Sequence, residues 1–541
     1  MGSCQSGPAS GCDDDTPCTA DTCGATGCLH TPIVGCSVCI NEDFQTSKWA
    51  TLWSSYGDAG DYVQWQVLND PNGNGSQVAK WLGKAQENAT QGAILVVQRL
   101  HLGPGVPAQI DFWYRTQLAT ATCGSDDVEL WGNGILLWRQ CESTPGGTTG
   151  AMLHAVIDLT FLAGSPVDLE FRAVASPDAK YASTIELDKV RIAGSCTQAC
   201  MGAHLEALSD ARDVPSSPFP QGWKLLSTAP DYVSWARTYT GGKQGLGAMT
   251  ARHTGKPPTG TAQVAMLRIP MVNPAVGSAL HFNARAVFAG SPSCDEDALS
   301  VWIAGTKVYE LCGVQPKWSS HTFDLSPWQG KDVNIEFVVK TGTTAAALGL
   351  FQVDDIALTG ECSYGCFYTT FDEAGAINDW WKGNTPGASA WALQSEDSAS
   401  GSTALGANLA PELPKGAMTT LMPADKWRWP MPIKGATLEL KTKLTAAQDS
   451  CPHTQFRTRV VYQYRGIAPT DPKEAVESPF MYDVIDQCKA SNGFAVHQVE
   501  LGEPIRGRKF LPLFILQKAW GLNAGQGAAA VAVDDFLIRC R

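Results

Sequence analysis

Charged residues are scarce in this chain. Asp, Glu, Lys and Arg make up 17% of its 541 residues, whereas soluble proteins average about 25%. The 40 basic residues form no run and are outnumbered by 53 acidic residues, which gives a formal net charge of −13. A protein that binds a phosphate backbone needs a positive surface. We therefore expect no nucleic-acid partner.

Long apolar segments are missing as well. No apolar run in the sequence reaches the roughly 20 residues that a membrane-spanning helix needs, so we expect no membrane span. No apolar segment of the kind found in signal peptides follows Met1-Gly2-Ser3. These three residues look like an added start that replaces a removed signal.

The residue patterns of common catalytic sites are absent too. None of the nine histidines lies in a metal-ligand spacing such as His-Glu-x2-His, and the sequence contains no Gly-x-Ser-x-Gly motif. Acidic pairs beside the smaller cysteine loops, such as Asp126 and Asp127, are the remaining enzymatic option as glycosidase carboxylates. Acids next to a disulfide more often form turns, so we expect a protein without catalytic activity.

Cysteine, in contrast, is abundant. The sequence has 18 cysteines, an even number spread over its whole length. A disulfide framework needs such an even set, and a reducing cytosol would not sustain one. We therefore expect a secreted or cell-surface protein in which all of them form disulfides, namely Cys4, Cys12, Cys18, Cys23, Cys28, Cys36, Cys39, Cys123, Cys141, Cys196, Cys200, Cys294, Cys312, Cys362, Cys366, Cys451, Cys488 and Cys540.

One sequence pattern recurs and divides the chain. At residues 353–366 an apolar strand with two aspartates reaches Cys362, and Cys366 follows four positions later. Residues 533–540 repeat the strand and its cysteine, and residues 187–196 carry a weaker copy. Repeats of this length indicate tandem modules. We predict a small unit at residues 1–38 and three modules at residues 39–198, 199–364 and 365–541.

The cysteine spacing predicts which residues pair in each module. A bridge from the opening to the closing cysteine would bring the two terminal strands side by side, and it is worth about 4 to 5 kcal/mol in the loop-entropy model. Two inner cysteines, separated by 18 residues in modules 1 and 2 and by 37 in module 3, enclose a predicted hairpin. The predicted pairs are Cys39 with Cys196, Cys200 with Cys362, Cys366 with Cys540, Cys123 with Cys141, Cys294 with Cys312, and Cys451 with Cys488.

The strand pattern favours an all-β fold. No segment combines a sustained helical periodicity with helix caps, and turn residues recur every 8 to 15 positions. Alternating apolar residues predict a half-buried strand in the middle of each module, at residues 108–114, 279–286 and 436–443. We predict three tandem antiparallel jelly-roll β-sandwiches after a small disulfide-rich unit.

Tryptophans and histidines recur at matching places in the modules. Two tryptophans follow each opening cysteine, and we expect the second of them to be buried in the core. A histidine that precedes a later strand also recurs, which favours a packing role. The matched residues are Trp53, Trp223 and Trp381, then Trp65, Trp235 and Trp391, and finally His154, His321 and His497.

Other tryptophans, including Trp113, Trp131 and Trp318, have no counterpart in the neighbouring modules. Trp427 and Trp429 are the pair of most interest, because their alternation places both indoles on one face of a strand. Exposed indoles stack on sugar rings or contact a protein partner, although most tryptophans simply pack. We take Trp427 and Trp429 as candidate ligand-binding residues.

Residues 12–32 carry the motif Cys-Asp-Asp-Asp-Thr-Pro-Cys-Thr-Ala-Asp-Thr-Cys, followed by Gly-Cys-Leu-His-Thr-Pro. The motif resembles a short Cys-rich repeat of large bacterial surface proteins and slime-mould extracellular proteins. A unit of this length buries too little apolar surface to fold by packing alone, so we expect disulfides to hold it. Metal binding is the less favoured alternative, because Cys36 and Cys39 form its one Cys-x2-Cys and no second knuckle lies nearby.

The ends of the modules resemble those of the MAM-type jelly roll and of its bacterial relatives, the concanavalin-like sandwiches of adhesins. The resemblance rests on Cys-x4-Phe-Asp at Cys366 and on Val-Asp-Asp before the last cysteine of modules 2 and 3. In that family, the acid after the opening Phe and the carboxylates of the closing strand can hold a structural calcium. The resemblance therefore implies calcium ligands at Glu206, Asp354, Asp355, Asp372, Asp534 and Asp535.

Calcium takes six to eight oxygen ligands, which three carboxylates with carbonyls and water can supply. Neighbouring aspartates in a strand point to opposite faces unless a bulge intervenes. In the alternative, one aspartate caps a turn or pairs with an arginine and the other is solvated. Module 1 has Gln45, Asp188 and Lys189 at these places, and we expect no metal there because Lys189 can supply the positive charge.

These features predict a secreted or cell-surface protein that mediates adhesion or the recognition of a glycan or a protein. This step is an analogy, because a fold does not fix a function. One alternative is a structural subunit of an extracellular filament or surface assembly, whose partners are copies of itself or sister proteins. Another is an accessory region of a secreted hydrolase.

Overall fold

A computed structural model of the protein describes residues 18–24, 27–44, 53–57, 63–69, 75–81, 91–118, 123, 126–133, 135–145, 151–175, 183–203, 223–230, 232–238, 243, 248–253, 263–288, 294, 297–342, 349–369, 371, 380–395, 398–399, 403–414, 416–423, 435–446, 454–462, 481–502, 505, 510–518 and 529–541. These residues form antiparallel β-strands, and the helical structure among them is limited to short 3₁₀ turns such as Thr160–Leu162 and Ser326–Trp328. None of their helices is long and apolar enough to cross a membrane. The fold is all-β, as predicted.

The small N-terminal unit is a hairpin of β1 (Thr19–Gly24) and β2 (Gly27–Pro32). A disulfide between Cys18 and Cys36, with Cα atoms 5.3 Å apart, closes its base. Cys28 is also disulfide-bonded, whereas Leu29 and Val34 are 58% and 93% exposed. Disulfides rather than buried apolar residues therefore hold this hairpin.

Each module is a sandwich of two antiparallel sheets, which we name the front sheet and the back sheet. In module 1 the strands of the front sheet lie in the spatial order β4 (Trp53–Gly57), β7 (Gln91–Leu102), β12 (Ser165–Ala175), β9 (Asp126–Gly132) and β10 (Ile135–Gln140). The strands of the back sheet lie in the order β5 (Val63–Asn69), β6 (Gly75–Trp81), β13 (Thr184–Gly194), β8 (Gln109–Gln117) and β11 (Leu153–Asp158). The opening strand β3 (Ser37–Glu42) also pairs with β13.

Modules 2 and 3 repeat this order. The front sheet of module 2 contains β15 (Lys224–Ser227), β18 (Gln263–Pro274), β23 (Val333–Thr341), β20 (Ala298–Ile303) and β21 (Thr306–Cys312), and its back sheet contains β16 (Val233–Thr238), β17 (Ala248–His253), β24 (Gly349–Thr359), β19 (Ala279–Phe288) and β22 (Gln315–Asp324), with β14 (Cys196–Ala203) paired to β24. The front sheet of module 3 contains β26 (Trp380–Asn384), β29 (Met418–Pro423), β34 (Phe510–Lys518), β31 (Thr454–Tyr462) and β32 (Met481–Gln487), and its back sheet contains β27 (Ala392–Gln394), β28 (Ala404–Leu409), β35 (Ala529–Cys540), β30 (Ala436–Ala446) and β33 (Ala495–Leu501), with β25 (Cys362–Thr369) paired to β35.

The core of each sandwich lies between its two sheets. Alternate residues of β12 and β8 point inward, and Phe112 packs edge-on against Phe171 with ring centroids 4.9 Å apart. The equivalent pair in module 2 is Phe282 with Phe337, at 5.2 Å. These four rings are at most 1% exposed. The period-two pattern of the sequence therefore determines which side chains fill the core.

The predicted core tryptophans are buried: Trp65, Trp235 and Trp391 are 6%, 3% and 1% exposed. The other set of matched tryptophans needs a correction in module 3. Trp380, not Trp381, contacts Phe371 and packs against the core there. Trp381 packs on the opposite face of β26, against an outer apolar cluster. Neighbouring residues of a strand point to opposite faces. The sequence match chose Trp381, one residue after the tryptophan that packs against the core.

Disulfides join the ends of every module. Cys39 bonds to Cys196, Cys200 to Cys362, and Cys366 to Cys540, with Cα separations of 6.1, 5.7 and 5.7 Å. Cys123–Cys141 and Cys294–Cys312 close the hairpins β9–β10 and β20–β21. These five pairs are the ones that the cysteine spacing predicts. Cys488 is also disulfide-bonded, while Cys4, Cys12, Cys451 and the side chain of Cys23 lie outside the described residues.

Consecutive modules share a strand. The first part of β14 pairs with β7 of module 1, from Cys196 to Gln198, and its second part pairs with β24 of module 2, from Ala199 to Ala203. In the same way β25 pairs with β18 of module 2 and with β35 of module 3. The opening strand of a module therefore extends the front sheet of the preceding module.

Candidate functional site

Four of the predicted ligand residues lie outside the described residues. Trp427 and Trp429 are the expected binding patch, and Glu206 and Asp372 are the expected first acids of the two calcium sites. Their roles stay predictions. The other predicted calcium ligands belong to the closing strands β24 and β35.

A β-bulge in the closing strand of module 2 buries both of its aspartates. Asp355 has a φ of 50°, a left-handed conformation that aspartate tolerates better than most residues, and the ladder to β19 shifts at this point. Asp354 and Asp355 are 0% and 1% exposed. The extra residue of the bulge breaks the strand alternation, so neither aspartate is solvated.

Both aspartates accept hydrogen bonds. Asp354 Oδ1 accepts from the backbone N–H of Asp355 at 2.8 Å, and its Oδ2 accepts from the backbone N–H of Lys243 at 2.8 Å. Asp355 Oδ2 accepts from Asn283 Nδ2 at 2.8 Å and lies 3.8 Å from Lys243 Nζ. Asp354 therefore fixes the chain at Lys243, and the ammonium of Lys243 lies beside Asp355.

Module 3 repeats this arrangement. Asp535 has a φ of 48°, and Asp534 is fully buried. The carboxylate of Asp534 accepts from the N–H of Asp535 at 2.8 Å and from the N–H of Ala399 at 2.7 Å. Lys441 Nζ forms an ion pair with Asp535. In both modules the first aspartate orders a loop and the second faces a lysine.

These contacts bear on the calcium prediction. In the part of the chain that the structure describes, no group of three or more Asp, Glu, His or Cys side chains is arranged to hold a metal ion. A lysine ammonium lies beside Asp355 and beside Asp535, whereas calcium needs six to eight oxygens. The predicted sites also include Glu206 and Asp372, which lie outside the described residues, so calcium binding stays a prediction.

In module 1 the bulge residue is Lys189, with a φ of 48°. Its side chain is exposed, and its Nζ lies 6.0 Å from the centre of the Trp113 ring. An ammonium over an indole face is attracted by the ring electrons. Lys189 is therefore held at the surface, and its ammonium still attracts the neighbouring Asp188 carboxylate. The expectation that module 1 holds no metal stays a prediction.

The acids considered as glycosidase carboxylates have structural contacts. Asp126 and Asp127 lie in β9, not in a turn, and both are fully buried. Asp126 Oδ2 accepts from the Ser183 hydroxyl at 3.1 Å, and Asp127 lies 3.3 Å from Arg139 Nε. The prediction of a turn was wrong here, because these acids tie neighbouring parts of the sandwich together from inside the strand.

The three recurrent histidines do not share one environment. His321 and His497 are half-buried, and burial lowers the pKa of both. His321 Nε2 forms a hydrogen bond with the Tyr309 hydroxyl at 3.0 Å. His154 is exposed instead and stacks on Trp113 with ring centroids 4.9 Å apart. The predicted packing role therefore fits His321 and His497 better than His154.

An open groove of about 550 Å³ lies on the outer face of the front sheet of module 2. Core and outer positions alternate along β23, where Phe337 is buried while Glu336 and Val338 face outward. The groove is formed by such outward side chains from β18, β23, β20 and β21. Its lining includes Met266, Ser300, Trp302, Lys307, Glu336 and Lys340.

Trp302 supplies the aromatic surface of the groove. Its Nε1 donates to Ser300 Oγ at 2.8 Å, and that hydroxyl donates in turn to the carbonyl of Val338 at 3.3 Å. The disulfide between Cys294 and Cys312 closes the hairpin that carries Trp302, and Cys294 itself lines the groove. The orientation of the indole is therefore fixed by the protein.

Ion pairs lie beside Trp302. Arg268 Nε donates to Glu336 at 2.8 Å, and Lys307 Nζ donates to Glu310 at 3.0 Å. The side chains of Lys307 and Glu310 are 43% and 41% exposed. Exposed ion pairs contribute little to stability, so these groups are available to a ligand at little cost to the fold. The groove thus combines one aromatic ring with donors and acceptors of both charges.

Trp131 of module 1 is the structural counterpart of Trp302. Trp131 pairs with Glu170 of the neighbouring strand, as Trp302 pairs with Glu336. The expectation that Trp131 has no counterpart in the neighbouring modules was therefore wrong. Each of the two tryptophans lies eight positions after the first cysteine of its inner pair, and this spacing was the signal that could have revealed the match.

The surroundings of the two tryptophans differ. The guanidinium carbon of Arg172 lies 4.7 Å from the centre of the Trp131 ring, and Trp131 Nε1 donates to Glu129 at 2.7 Å. Val338 of module 2 takes the register position of Arg172. One face of Trp131 is thus covered by a charged side chain of its own module, whereas Trp302 lines a groove.

No protein-family model and no curated protein matches this chain. Similar solved structures include the CBM22-1–CBM22-2 tandem of Paenibacillus barcinonensis Xyn10C, with 12% identity, 64% of this chain and 97% of that chain covered, and a TM-score of 0.24. The K1 cleaved adhesin domain of Lys-gingipain from Porphyromonas gingivalis has 20% identity, covers 28% of this chain and 96% of its own, and gives a TM-score of 0.21. The carbohydrate-binding module TmCBM27, which recognises mannan, is 14% identical to this chain. The match covers 29% of this chain and 98% of that module, with a TM-score of 0.20.

Proposed function

We propose that this is a secreted or cell-surface recognition protein that binds a glycan in the groove of module 2 and catalyses no reaction on it. One observation carries the proposal. Trp302 is fixed in an open groove of about 550 Å³ whose other walls combine apolar side chains, such as Met266, with charged ones, such as Lys307 and Glu336. The six disulfides of the described residues, which a reducing compartment would not sustain, support an extracellular location.

The chemistry of the groove suits a sugar. The C–H face of a pyranose ring is apolar and packs on an indole, while its hydroxyl groups both donate and accept hydrogen bonds. Glu310 and Glu336 can accept from hydroxyls, and Lys307 can donate to them. The volume falls within the range of about 300 to 1,000 Å³ that is usual for small-ligand sites. Because the groove is open, a longer chain can extend beyond it.

The carboxylates of the groove favour binding over hydrolysis. A glycosidase needs one carboxylic acid that donates a proton and one carboxylate that acts as base or nucleophile. Glu336 is paired with Arg268 and Glu310 is paired with Lys307, so each carboxylate already accepts from a cation. Neither is arranged as a proton donor, and both can hold hydroxyl groups.

A glycan array with the wild-type chain, followed by calorimetric titration of the best oligosaccharide, tests the proposal. We expect Trp302→Ala to weaken binding at least about tenfold, which corresponds to about 1.4 kcal/mol. Trp131→Ala is the matched control, because the equivalent indole of module 1 is covered by Arg172, and it should bind like the wild type. Equal affinities of the wild type and Trp302→Ala, or release of new reducing ends from the oligosaccharide, would overturn the proposal.

A further inference from the structure

The groove of module 2 has a largely apolar middle. Residues that lie opposite each other on neighbouring strands point to the same face of a sheet. Met266 lies opposite Val338, and Val338 lies opposite Ser300. These three residues form a row across β18, β23 and β20 on the outer face of the front sheet, and all three line the groove. We call this row the groove floor.

The neighbouring rows of the groove carry charged residues. They lie two residues away along the strands, which corresponds to about 7 Å. On one side of the groove floor, Trp302 lies opposite Glu336 and Lys307. On the other side, Lys340 lies opposite Ala298. The groove floor is thus a strip of mostly apolar surface between two charged rows, and it begins directly beside the indole of Trp302.

Side-chain contacts hold the groove floor in place and limit what it can offer to a ligand. Arg268 Nη2 donates to Met266 Sδ at 3.5 Å. Ser300 Oγ donates to the carbonyl of Val338 at 3.3 Å and accepts from Trp302 Nε1 at 2.8 Å. A hydroxyl group has one proton and two lone pairs. One lone pair of Ser300 therefore remains for a ligand, so its hydroxyl can accept a hydrogen bond but has no proton left to donate.

This arrangement discriminates between the substituents of a sugar ring. A sugar hydroxyl above the groove floor can donate to Ser300, but its lone pairs then face Met266 and Val338, and a buried acceptor without a partner costs free energy. A protonated amino group loses more, because burial of a charge is more costly. An acetate ester has an apolar methyl group but no donor. An acetamido group offers an N–H to Ser300 and a methyl group to the apolar side chains, and the open groove leaves its carbonyl accessible to water.

We propose that the groove of module 2 recognises glycans built from N-acetylated hexosamines, with one pyranose ring stacked on Trp302 and its acetamido group on the groove floor. This inference rests on the glycan binding proposed above and names the class of sugar. Module 1 has no such floor, because Glu129 and Arg172 take the register positions of Ser300 and Val338. The acetamido site therefore belongs to module 2 and is not a general property of the modules.

Calorimetric titration of the full chain with N-acetylated chitotetraose and with cellotetraose tests the inference. The two tetrasaccharides share a β-1,4-linked backbone and differ at carbon 2, which carries an acetamido group in the first and a hydroxyl in the second. We expect the wild type to bind chitotetraose about tenfold more tightly, because one methyl group is buried and one hydrogen bond is formed. The deacetylated tetrasaccharide, with free amino groups, should bind more weakly than chitotetraose.

A variant of the groove floor gives a second readout. Val338→Thr nearly keeps the size of the side chain and adds a hydroxyl. We expect it to weaken chitotetraose binding at least about threefold, because the buried methyl group loses an apolar contact, and to leave cellotetraose binding unchanged. Val287→Thr is the matched control. It makes the same change on β19 of the back sheet, where Val287 is 37% exposed, and it should bind both ligands like the wild type.

Failure of the inference and failure of the proposed function give different results. Cellotetraose that binds as tightly as chitotetraose, or chitotetraose binding that Val338→Thr leaves unchanged, would overturn the acetamido site. So would a glycan array on which the ligands that depend on Trp302 lack acetamido groups. In these cases binding that Trp302→Ala weakens still supports a glycan groove. An array without any ligand, or ligands that Trp302→Ala binds like the wild type, would overturn both proposals.

Discussion

His101 and His281 stack on each other across the junction between modules 1 and 2, with ring centroids 4.3 Å apart. Burial, together with the charges of His281 and Lys243, lowers the pKa of His101 to about 3. Burial also lowers the pKa of His281. The two rings therefore pack as neutral groups, and this junction depends on their neutrality.

We expect the first junction to weaken as the pH falls from 6.5, the ordinary pKa of histidine, toward about 3. In this window the unfolded chain binds a proton at His101 that the folded chain does not bind, so stability falls as the pH falls. Each pH unit costs at most about 1.4 kcal/mol for this one group. Below about pH 3 both states are protonated and the loss from His101 ends.

Hydrogen exchange of β7 and β14 as a function of pH measures this effect. His101→Asn should show a flatter dependence than the wild type, because the side chain that titrates is gone. The second junction serves as an internal control, since its ion pair joins Arg539 of module 3 to Asp332 of module 2 and contains no histidine. Protection of β25 should stay constant between about pH 7 and 5, where histidine is the side chain that titrates. Equal pH responses of the two junctions would contradict the role of the histidine pair.

The disulfide pairs and the all-β fold of the modules follow largely from patterns in the sequence. Two inner disulfides have the same sequence separation, namely Cys123–Cys141 and Cys294–Cys312. Each of them closes a hairpin. The hairpin predicted between Cys294 and Cys312 is formed by β20 (Ala298–Ile303) and β21 (Thr306–Cys312). Cysteine spacing and period-two alternation are local properties, so a single sequence is enough to detect them.

The faces of individual side chains are harder to predict. Bulges at Lys189, Asp355 and Asp535, which all have a positive φ, interrupt the alternation of inward and outward side chains along the closing strands. The three bulge residues are not of one type, so the residue type alone does not reveal the bulges. The site in module 2 has the same difficulty, because the outward face of Trp302 depends on the register between β20 and β23. Register arises from pairing between distant segments, and the spacing within one segment does not contain it.

The tryptophan correction in module 3 leads to a prediction. Trp380 packs against Phe367, Phe371 and Phe514, with centroid separations from 5.8 to 6.1 Å. We expect Trp380→Ala to destabilise module 3 by about 3 kcal/mol, the lower end for removal of a packed aromatic side chain. Trp381→Ala is the adjacent control and should cost less, because its ring packs on the smaller outer cluster. Chemical denaturation compares the two, and a larger loss for Trp381→Ala would show that the face assignment is wrong.

The calcium prediction is tested by chelation. It predicts that a chelator lowers the melting temperature of the wild type and that Asp355→Asn combined with Asp535→Asn removes this response. An unchanged wild-type melting temperature would contradict the calcium sites. The lysine contacts of Asp355 and Asp535 make this outcome informative, because an ammonium and a calcium ion compete for the same negative charge.

Lys441→Met separates the two accounts in module 3. If the ammonium balances Asp535, its removal leaves a partly buried carboxylate without that cation, and stability falls with or without calcium. If calcium binds near Asp535, removal of a nearby positive charge lowers the repulsion on the metal, and added calcium should stabilise Lys441→Met more than the wild type. We expect the first result, because Lys441 Nζ is in direct contact with Asp535. A calcium-dependent gain in the melting temperature of Lys441→Met would reverse this assignment.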